Sequence, residues 1–279
     1  MSTEASEDLS LHEVAERLDV HYMTAYRYVR LGVLPARREG RSWRILSSDV
    51  DVFMSRDEPR TVRGEADWAD RFFNRVIAAD EAGAWGVVEA ACSSGMAIPE
   101  AYAELLSPAM VRIGDLWAAG DMDIATEHAA SEVVARIIAR LGPRMTRRGV
   151  RRGTVVLGST ATELHSLPLA MVADMFRAAQ YDVVDLGAYL PPESFAAYVE
   201  SRPDVVAVGI GITTPGQDDE IAATLAALRE VTSVPIIIGG GGVDEETAIR
   251  LGADGWAHPA SDAVELVERL LSAGGESSA

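Results

Sequence analysis

Histidine paired with a nearby carboxylate is the combination in this sequence best suited to hold a metal ion. The chain has five histidines but a single cysteine, Cys92, which excludes sites built from several cysteines. His165 follows Glu163 by two positions, just after the apolar run TVVLGST. An imidazole oriented by a carboxylate has the parts of a metal ligand. Taken alone, the pattern also fits a histidine that makes only local hydrogen bonds.

A second candidate site lies upstream, in a segment with helical periodicity. Trp117 is separated by nine residues from the adjacent pair Glu127 and His128. An indole offers a large flat apolar surface, and a carboxylate can accept hydrogen bonds. The alternative interpretation places Trp117 in the core of a helix bundle and the pair in the first turn of a helix.

The third candidate site is basic. The net charge of the chain is −18, yet the segment from Val20 to Leu46 contains six arginines and one acidic residue, Glu39. A basic island in an acidic chain is typical of a small DNA-binding unit on a larger acidic body. The predicted DNA-contacting residues are Tyr22, Thr24, Tyr26, Arg27, Arg30, Arg38, Arg41 and Arg44. The alternative is that this unit binds another protein.

Short elements position these basic residues. Ser10 and Glu13 have the spacing of a capping box, which predicts the start of a first helix. A second helix is predicted from about Tyr22 to Leu31, then a β-hairpin around residues 39–42, and a third helix from Asp49. A second helix carrying arginines and tyrosines suits the major groove of DNA. The pattern predicts a winged helix-turn-helix over residues 9–56.

The rest of the chain predicts two further domains. Residues 66–142 have apolar positions at helical spacing, which predicts a four-helix bundle. Residues 152–273 alternate β-branched runs with helical segments. The predicted strands are Thr154–Leu157, Val183–Leu186, Val205–Ile210, Ile236–Ile238 and Gly255–Ala257. Such runs are typical of a parallel sheet, so we predict a flavodoxin-like, Rossmann-type α/β domain that binds its ligand at the carboxyl edge of the strands.

Composition excludes several classes of protein. With 279 residues, 48% of them hydrophobic and 24% charged, the chain can form folded domains, so general disorder is excluded. No apolar run reaches the ~18 residues of a membrane span, and the N-terminus is acidic, so we expect a cytoplasmic protein without a membrane partner. The glycines at 239–242 do not form the GxGxxG of a dinucleotide site. No nucleophile–base set is present, so we expect that the protein is not an enzyme.

Together these motifs resemble a known family of regulators. Residues 9–54 resemble the winged helix-turn-helix of the MerR and excisionase group. The segment from Glu163 to Pro168 resembles the Asp-x-His-x-x-Gly signature of cobalamin-binding domains, with Glu163 in place of Asp and Pro168 in place of Gly. Trp117, Glu127 and His128 resemble the Trp-x9-Glu-His motif of CarH/LitR-type photoreceptors. The order of the three regions is also that of CarH-type transcriptional regulators.

The resemblance implies a repressor that holds 5′-deoxyadenosylcobalamin. It implies that His165 ligates cobalt from below, that Glu163 polarises this histidine, and that Trp117 and Glu127 enclose the adenosyl group. Further cofactor contacts implied by the family's motifs are His128, Ser166, Leu167, Gly187, Thr213, Thr214, Gly239, Gly240 and Gly241. It also implies a double-stranded DNA operator and a homo-oligomer, a tetramer in the dark, that light dissociates by cleaving the cobalt–carbon bond.

One position departs from the best-known members, in which a histidine directly after the tryptophan ligates cobalt once light has removed the adenosyl group. Here that residue is Ala118, so water or His128 would take the upper site.

Other interpretations of the whole chain remain open. One is a cobalamin-sensing regulator that does not respond to light. Another is a corrinoid methyl-carrier protein, which has no need of residues 9–54. A third is a MerR-type sensor of another apolar effector with a degenerate cobalamin domain.

Overall fold

The N-terminal part of the chain consists of short helices around a three-stranded sheet. The structure is a computed structural model that describes residues 8–18, 20, 22–30, 34–39, 42–55, 68–146 and 149–276. Its first elements are β1 (Asp8–Leu9), α1 (Leu11–Arg17), α2 (Tyr22–Arg30), β2 (Arg37–Glu39), β3 (Ser42–Leu46) and α3 (Ser47–Ser55). Strand β3 pairs antiparallel with both β1 and β2.

Local interactions explain where the first helices begin. The capping box is confirmed, because the Ser10 hydroxyl accepts from the Glu13 amide and the Glu13 carboxylate accepts from the Ser10 amide at 2.8 Å. Helix α3 begins at Ser47, earlier than the predicted Asp49. The Arg17 side chain donates to Ser47 Oγ and to Asp51 Oδ1, both at 2.8 Å. These bonds fix α1 against the start of α3.

A bundle of helices follows. Its elements are α4 (Trp68–Ile77), α5 (Glu81–Ser93), α6 (Ile98–Ala101), a π-helical turn (Tyr102–Leu106), α7 (Ser107–Ala119) and α8 (Ile124–Met145). The π-helical turn joins α6 directly to α7, so the two form one interrupted helix. Helix α8 continues past the predicted boundary at residue 142, because Leu141, Gly142 and Met145 are buried. Pro143 removes one backbone hydrogen bond of this helix, and only Arg144 and Met145 follow it in α8.

The C-terminal part is a five-stranded parallel sheet flanked by helices, as predicted. The strands are β4 (Thr154–Ser159), β5 (Asp182–Asp185), β6 (Val205–Gly211), β7 (Ile236–Gly239) and β8 (Gly255–Ala257). The helices are α9 (Leu167–Ala178), α10 (Pro192–Glu200), α11 (Asp218–Val231), α12 (Glu245–Leu251) and α13 (Asp262–Glu276). The strand order is β5-β4-β6-β7-β8. The direction of winding therefore reverses between β4 and β6, where doubly wound sheets form their ligand crevice.

A buried polar contact joins the bundle to the sheet domain. The hydroxyl of Tyr102, in the π-helical turn, donates to Asp174 Oδ2 of α9 at 2.7 Å, and Arg177 donates to Asp174 Oδ1 at 2.8 Å. Gly142 lies against the same carboxylate, where a Cβ atom would come within 2.7 Å of Asp174 Oδ2. Burial, together with the Asp174 carboxylate, raises the pKa of Tyr102. This contact fixes the bundle against the helix that follows the His165 loop.

None of the helices in the described ranges is both long enough and apolar enough to cross a membrane. The longest, α8, has 22 residues and carries Glu127, Glu132, Arg136 and Arg140 along its length.

Candidate functional site

His165 lies in the loop between β4 and α9, at the carboxyl edge of the sheet. Its ring Nδ1 is 2.5 Å from Oε1 of Glu163. The Glu163 side chain is completely buried, whereas that of His165 is 54% exposed. When Nδ1–H donates to a carboxylate, Nε2 keeps the lone pair that a metal ion needs. The loop therefore presents an oriented imidazole at the sheet edge.

The Glu163 carboxylate accepts several hydrogen bonds. Its Oε2 accepts from the backbone amides of Thr213 at 2.7 Å and Thr214 at 2.8 Å, and from the Gln217 side chain at 3.1 Å. Burial alone would raise the pKa of Glu163, but the hydrogen bonds from the His165 ring and the surrounding amides lower it to about 2. The same hydrogen bond raises the pKa of His165, against the effect of burial. The carboxylate thus stays charged and fixes the ring.

A glycine turn forms the neighbouring wall of the site. Gly240 has φ of +110°, and a Cβ atom there would lie 2.1 Å from the Ile212 carbonyl oxygen. The Gly242 amide donates to that same oxygen at 3.0 Å, so the turn after β7 packs directly on the end of β6. The cavity beside it has a volume of about 360 Å³ and is lined by Gly240, Gly241, Gly242, Val243, Asp244, Trp256 and His258. Absent side chains allow a ligand to approach the backbone here.

The bundle contributes the residues of the second predicted site. Trp117, in the last turn of α7, is 51% exposed, which rules out the interpretation that it belongs to the bundle core. Glu127 lies in the first turn of α8 and accepts a hydrogen bond from the Ser131 hydroxyl at 2.7 Å. His128 Nε2 lies 3.7 Å from Glu127 Oε2. The hydrogen bond to Glu163 raises the pKa of His165, and the Glu127 charge adds a smaller contribution in the same direction.

The surroundings of His165 fit a large, mostly apolar ligand that has one axial metal position. Leu164 and Tyr189 are 71% and 68% exposed, and Tyr189 is tied to the loop by its amide, which donates to the Glu163 carbonyl at 2.8 Å. These two side chains therefore offer apolar surface next to the His165 loop. At the end of β4, the buried Ser159 hydroxyl has no hydrogen-bond partner among the described residues. An oriented imidazole, a bare glycine turn, exposed apolar groups and an unpaired hydroxyl together suit a corrinoid.

Some predicted cofactor contacts have other positions. Thr213 and Thr214 hold Glu163 through their amides instead of facing a ligand alone. Leu167 begins α9 and packs against the hydrophobic cluster of the bundle, because α9 is the helix on which the bundle rests. Ser166 is exposed at the N-cap of α9 without a side-chain capping bond, and Gly187 has φ of +74° after β5.

The predicted DNA-contacting residues whose side chains the structure describes differ in their exposure. Tyr22 and Tyr26 of α2 are half-buried against the hydrophobic cluster of the bundle, since their rings bury apolar area there. Arg38 is exposed, with its guanidinium 5.9 Å from the centre of the Trp43 ring, and Arg44 is half-buried. The positions outside the described residues are Arg41 and the side chains of Thr24, Arg27 and Arg30.

Three polar residues of the site were not predicted. Gln217 precedes α11, and its side-chain oxygen accepts from the hydroxyls of Thr160 at 2.5 Å and Thr162 at 2.9 Å. The available signal was a polar residue in the loop after the predicted third strand, at the edge where the ligand is expected. Gln217 was missed because none of the sequence motifs considered includes this position.

Comparison with known proteins agrees with this geometry. Two family models, each described as a B12 binding domain, match residues 68–141 and 153–268, and a helix-turn-helix domain model matches residues 9–57. A corrinoid protein of Desulfitobacterium hafniense is 34% identical over 121 residues, which are 43% of this chain and 56% of that protein. Dimethylamine corrinoid protein 3 of Methanosarcina mazei is 32% identical over 126 residues, 43% of this chain and 72% of that protein.

A solved structure shows the same fold. The monomethylamine corrinoid protein of Methanosarcina barkeri superposes with a TM-score of 0.61 at 19% identity, covering 74% of this chain and 98% of that one. Its similarity extends over more of the chain than that of either relative. With its matches to B12 binding domains and to these relatives, the chain belongs to the family of corrinoid proteins.

Proposed function

We propose that this protein is a DNA-binding regulator whose state is set by a bound cobalamin, most simply 5′-deoxyadenosylcobalamin. The observation that carries the proposal is the exposed His165 imidazole, fixed through Nδ1 by a buried carboxylate at the sheet edge. The helix-turn-helix match at residues 9–57 supports the DNA-binding part. The protein then senses its cofactor and has no catalytic turnover of its own.

Residues of the sheet domain and of the bundle would hold the cofactor together. His165 would bind cobalt through Nε2, and Glu163 would keep its ring in one orientation. The half-exposed Trp117 would offer an apolar surface to the cofactor, and Glu127 would accept hydrogen bonds from the ribose of an adenosyl group. When bound, the cofactor supplies a cobalt–carbon bond that visible light or a chemical reaction can break. His128 is the nearest candidate for a protein ligand on the upper face.

A direct contact between helix α2 and the bundle supports coupling of these residues to DNA binding. Tyr22 and Tyr26 pack on the bundle. Burial raises the pKa of Tyr22, and the charge of Asp121 raises it further. Burial also raises the pKa of Asp121, whereas the charge of Arg38 lowers it. Asp121 lies in the turn that joins Trp117 to Glu127. A shift of this turn when the upper ligand changes would therefore reach the predicted DNA-binding surface.

DNA binding is tested by selecting from a random pool of duplex DNA with the full chain, loaded with adenosylcobalamin and kept dark. We expect one enriched sequence, and a gel shift in which Arg27→Ala or Arg30→Ala weakens binding by about tenfold, since one lost bidentate base contact costs ~1–3 kcal/mol. Both variants should retain cobalamin like the wild type. Absence of any enriched sequence in every cofactor state would contradict a regulatory role.

The role of the upper ligand is tested by size-exclusion chromatography with adenosylcobalamin, before and after illumination. We expect a homo-oligomer in the dark that dissociates in the light. Trp117→Ala should elute as the smaller species in both conditions, because the upper pocket loses its apolar cover. Val111→Ala is the matched control, since Val111 is a 58% exposed apolar residue elsewhere on α7. Light-independent elution of the wild type would leave cobalamin sensing but remove photoreception.

The second candidate function is a corrinoid methyl carrier. The comparisons support it more directly than the regulator for residues 68–268, because the similar proteins carry the names of methylamine corrinoid proteins. Residues 9–57 distinguish the two, since a carrier has no use for a helix-turn-helix. A carrier would show no DNA sequence preference, and the methylcobalamin-loaded protein would lose its methyl group to a partner methyltransferase at unchanged oligomeric state.

A further inference from the structure

Gln217 is the buried residue at the centre of a polar network beneath the His165 loop. It is only 5% exposed and lies between the end of β6 and the start of α11. Its Nε2 donates to Glu163 Oε2 and to the Thr214 carbonyl, both at 3.1 Å, and its Oε1 accepts from Thr160 and Thr162. The network joins the loop after β4 to the loop after β6.

The amide of Gln217 has one orientation that satisfies every partner. Both side-chain N–H groups face acceptors, and the oxygen faces two hydroxyl donors. The reverse orientation would place the amide oxygen against a carboxylate and a carbonyl, which leaves buried acceptors opposed. The side chain makes no capping bond to α11, so helix capping does not explain its burial. Towards Glu163, Gln217 can act only as a donor.

We propose that Gln217 is a positioning residue for the axial ligand, acting through Glu163 on the orientation of His165. The inference rests on the proposed role of His165. The amides of Thr213 and Thr214 approach the carboxylate from a single loop, whereas Gln217 is also anchored to Thr160 and Thr162 on the other side. Without this anchor, Glu163 can rotate and His165 can turn away from the position that the metal requires. The proposal therefore predicts a weaker axial bond in a folded protein.

The test detects the histidine nitrogen that is bound to cobalt. The full chain is labelled with nitrogen-15 histidine, loaded with hydroxocobalamin and reduced to cob(II)alamin, and its electron paramagnetic resonance spectrum is recorded. An axial nitrogen-15 splits the cobalt lines into doublets, so the wild type should show doublets. Gln217→Met keeps the volume but removes the donors. We expect it to lose most of the doublet intensity and to retain cobalamin about tenfold less tightly, as for other outer-sphere partners of metal ligands.

Thr224→Val is the matched control. Thr224 is fully buried on the same helix, α11, and its hydroxyl donates to the Glu220 carbonyl at 2.8 Å, away from Glu163. It should lower thermal stability to a similar degree without changing the doublets. Equal spectral changes in both variants would reduce Gln217 to a structural residue and overturn the proposal.

A second variant keeps the test decisive if Gln217→Met does not fold. Thr162 is exposed, so Thr162→Val should fold, and it removes one of the two hydroxyls that hold the amide oxygen. We expect a smaller loss of doublet intensity in the same direction. If the wild type shows doublets and neither folded variant differs from it, the Gln217 inference fails alone. If the wild type itself shows no doublet, the assignment of His165 as the ligand fails, and this inference with it.

Discussion

Replacing His165 with alanine is expected to abolish retention of cobalamin. The His165 imidazole is exposed, and the lone pair of its Nε2 has a fixed direction because Nδ1 lies 2.5 Å from the Glu163 carboxylate. Losing a partner outside the coordination sphere costs roughly 10- to 100-fold in metal affinity, and losing the ligand itself should exceed that range. The measurement is the cobalamin absorbance that remains with the protein after a desalting column.

Two controls separate loss of the ligand from loss of the fold. His12→Ala removes a histidine of helix α1, whose ring contacts that of Tyr22 in a tilted arrangement with ring centres 4.7 Å apart, and it should retain cobalamin normally. Free imidazole added to His165→Ala should restore part of the wild-type spectrum, because it can enter the space left by the side chain. An His165→Ala protein with undiminished retention and an unchanged spectrum would show that the axial ligand is another group.

Much of the fold follows from periodicity, which local chemistry dictates. The Val- and Ile-rich runs predict buried strands, and β4 is buried along its whole length. Errors fall at the ends of elements, where tertiary packing overrides local signals. Pro143 argues for a stop, yet α8 continues to Met145. The last turn is buried, and Gly142 allows it to pack closely because it has no side chain to collide with the Asp174 carboxylate. That contact involves residues far apart in the chain.

The site was predictable only where a motif joins residues that are close in sequence. Glu163 and His165 are two positions apart, so their hydrogen bond can be anticipated. Gln217 meets Glu163 across 54 positions, and only the register of β4 beside β6 brings them together. The burial of Tyr22 and Tyr26 against the bundle escaped prediction for a similar reason. Their helix has a polar–aromatic pattern that fits DNA and a protein surface equally well.

Replacing Gly240 with alanine is expected to lower the free energy of unfolding by about 3 kcal/mol or more, as the sum of two costs. The first is conformational, because φ of +110° is unfavourable for any residue with a side chain. The second is steric, since the new Cβ would lie 2.1 Å from the Ile212 carbonyl oxygen. A backbone atom cannot turn aside as a flexible side chain can, so the turn would have to separate from β6. Chemical denaturation of the cofactor-free protein measures the change.

Two glycines of the same domain separate these costs. Gly252 has φ of +107°, but a Cβ atom there would meet no described atom within 4 Å, so Gly252→Ala carries the conformational cost alone, about 1–3 kcal/mol. Gly241 is next to Gly240, has an ordinary φ and faces open space, so Gly241→Ala should change stability by less than about 0.5 kcal/mol. The order Gly240, Gly252, Gly241 is therefore expected. If Gly240→Ala cost no more than Gly252→Ala, the turn could move away from β6 freely, and the cavity wall that Gly240 forms would be adaptable instead of fixed.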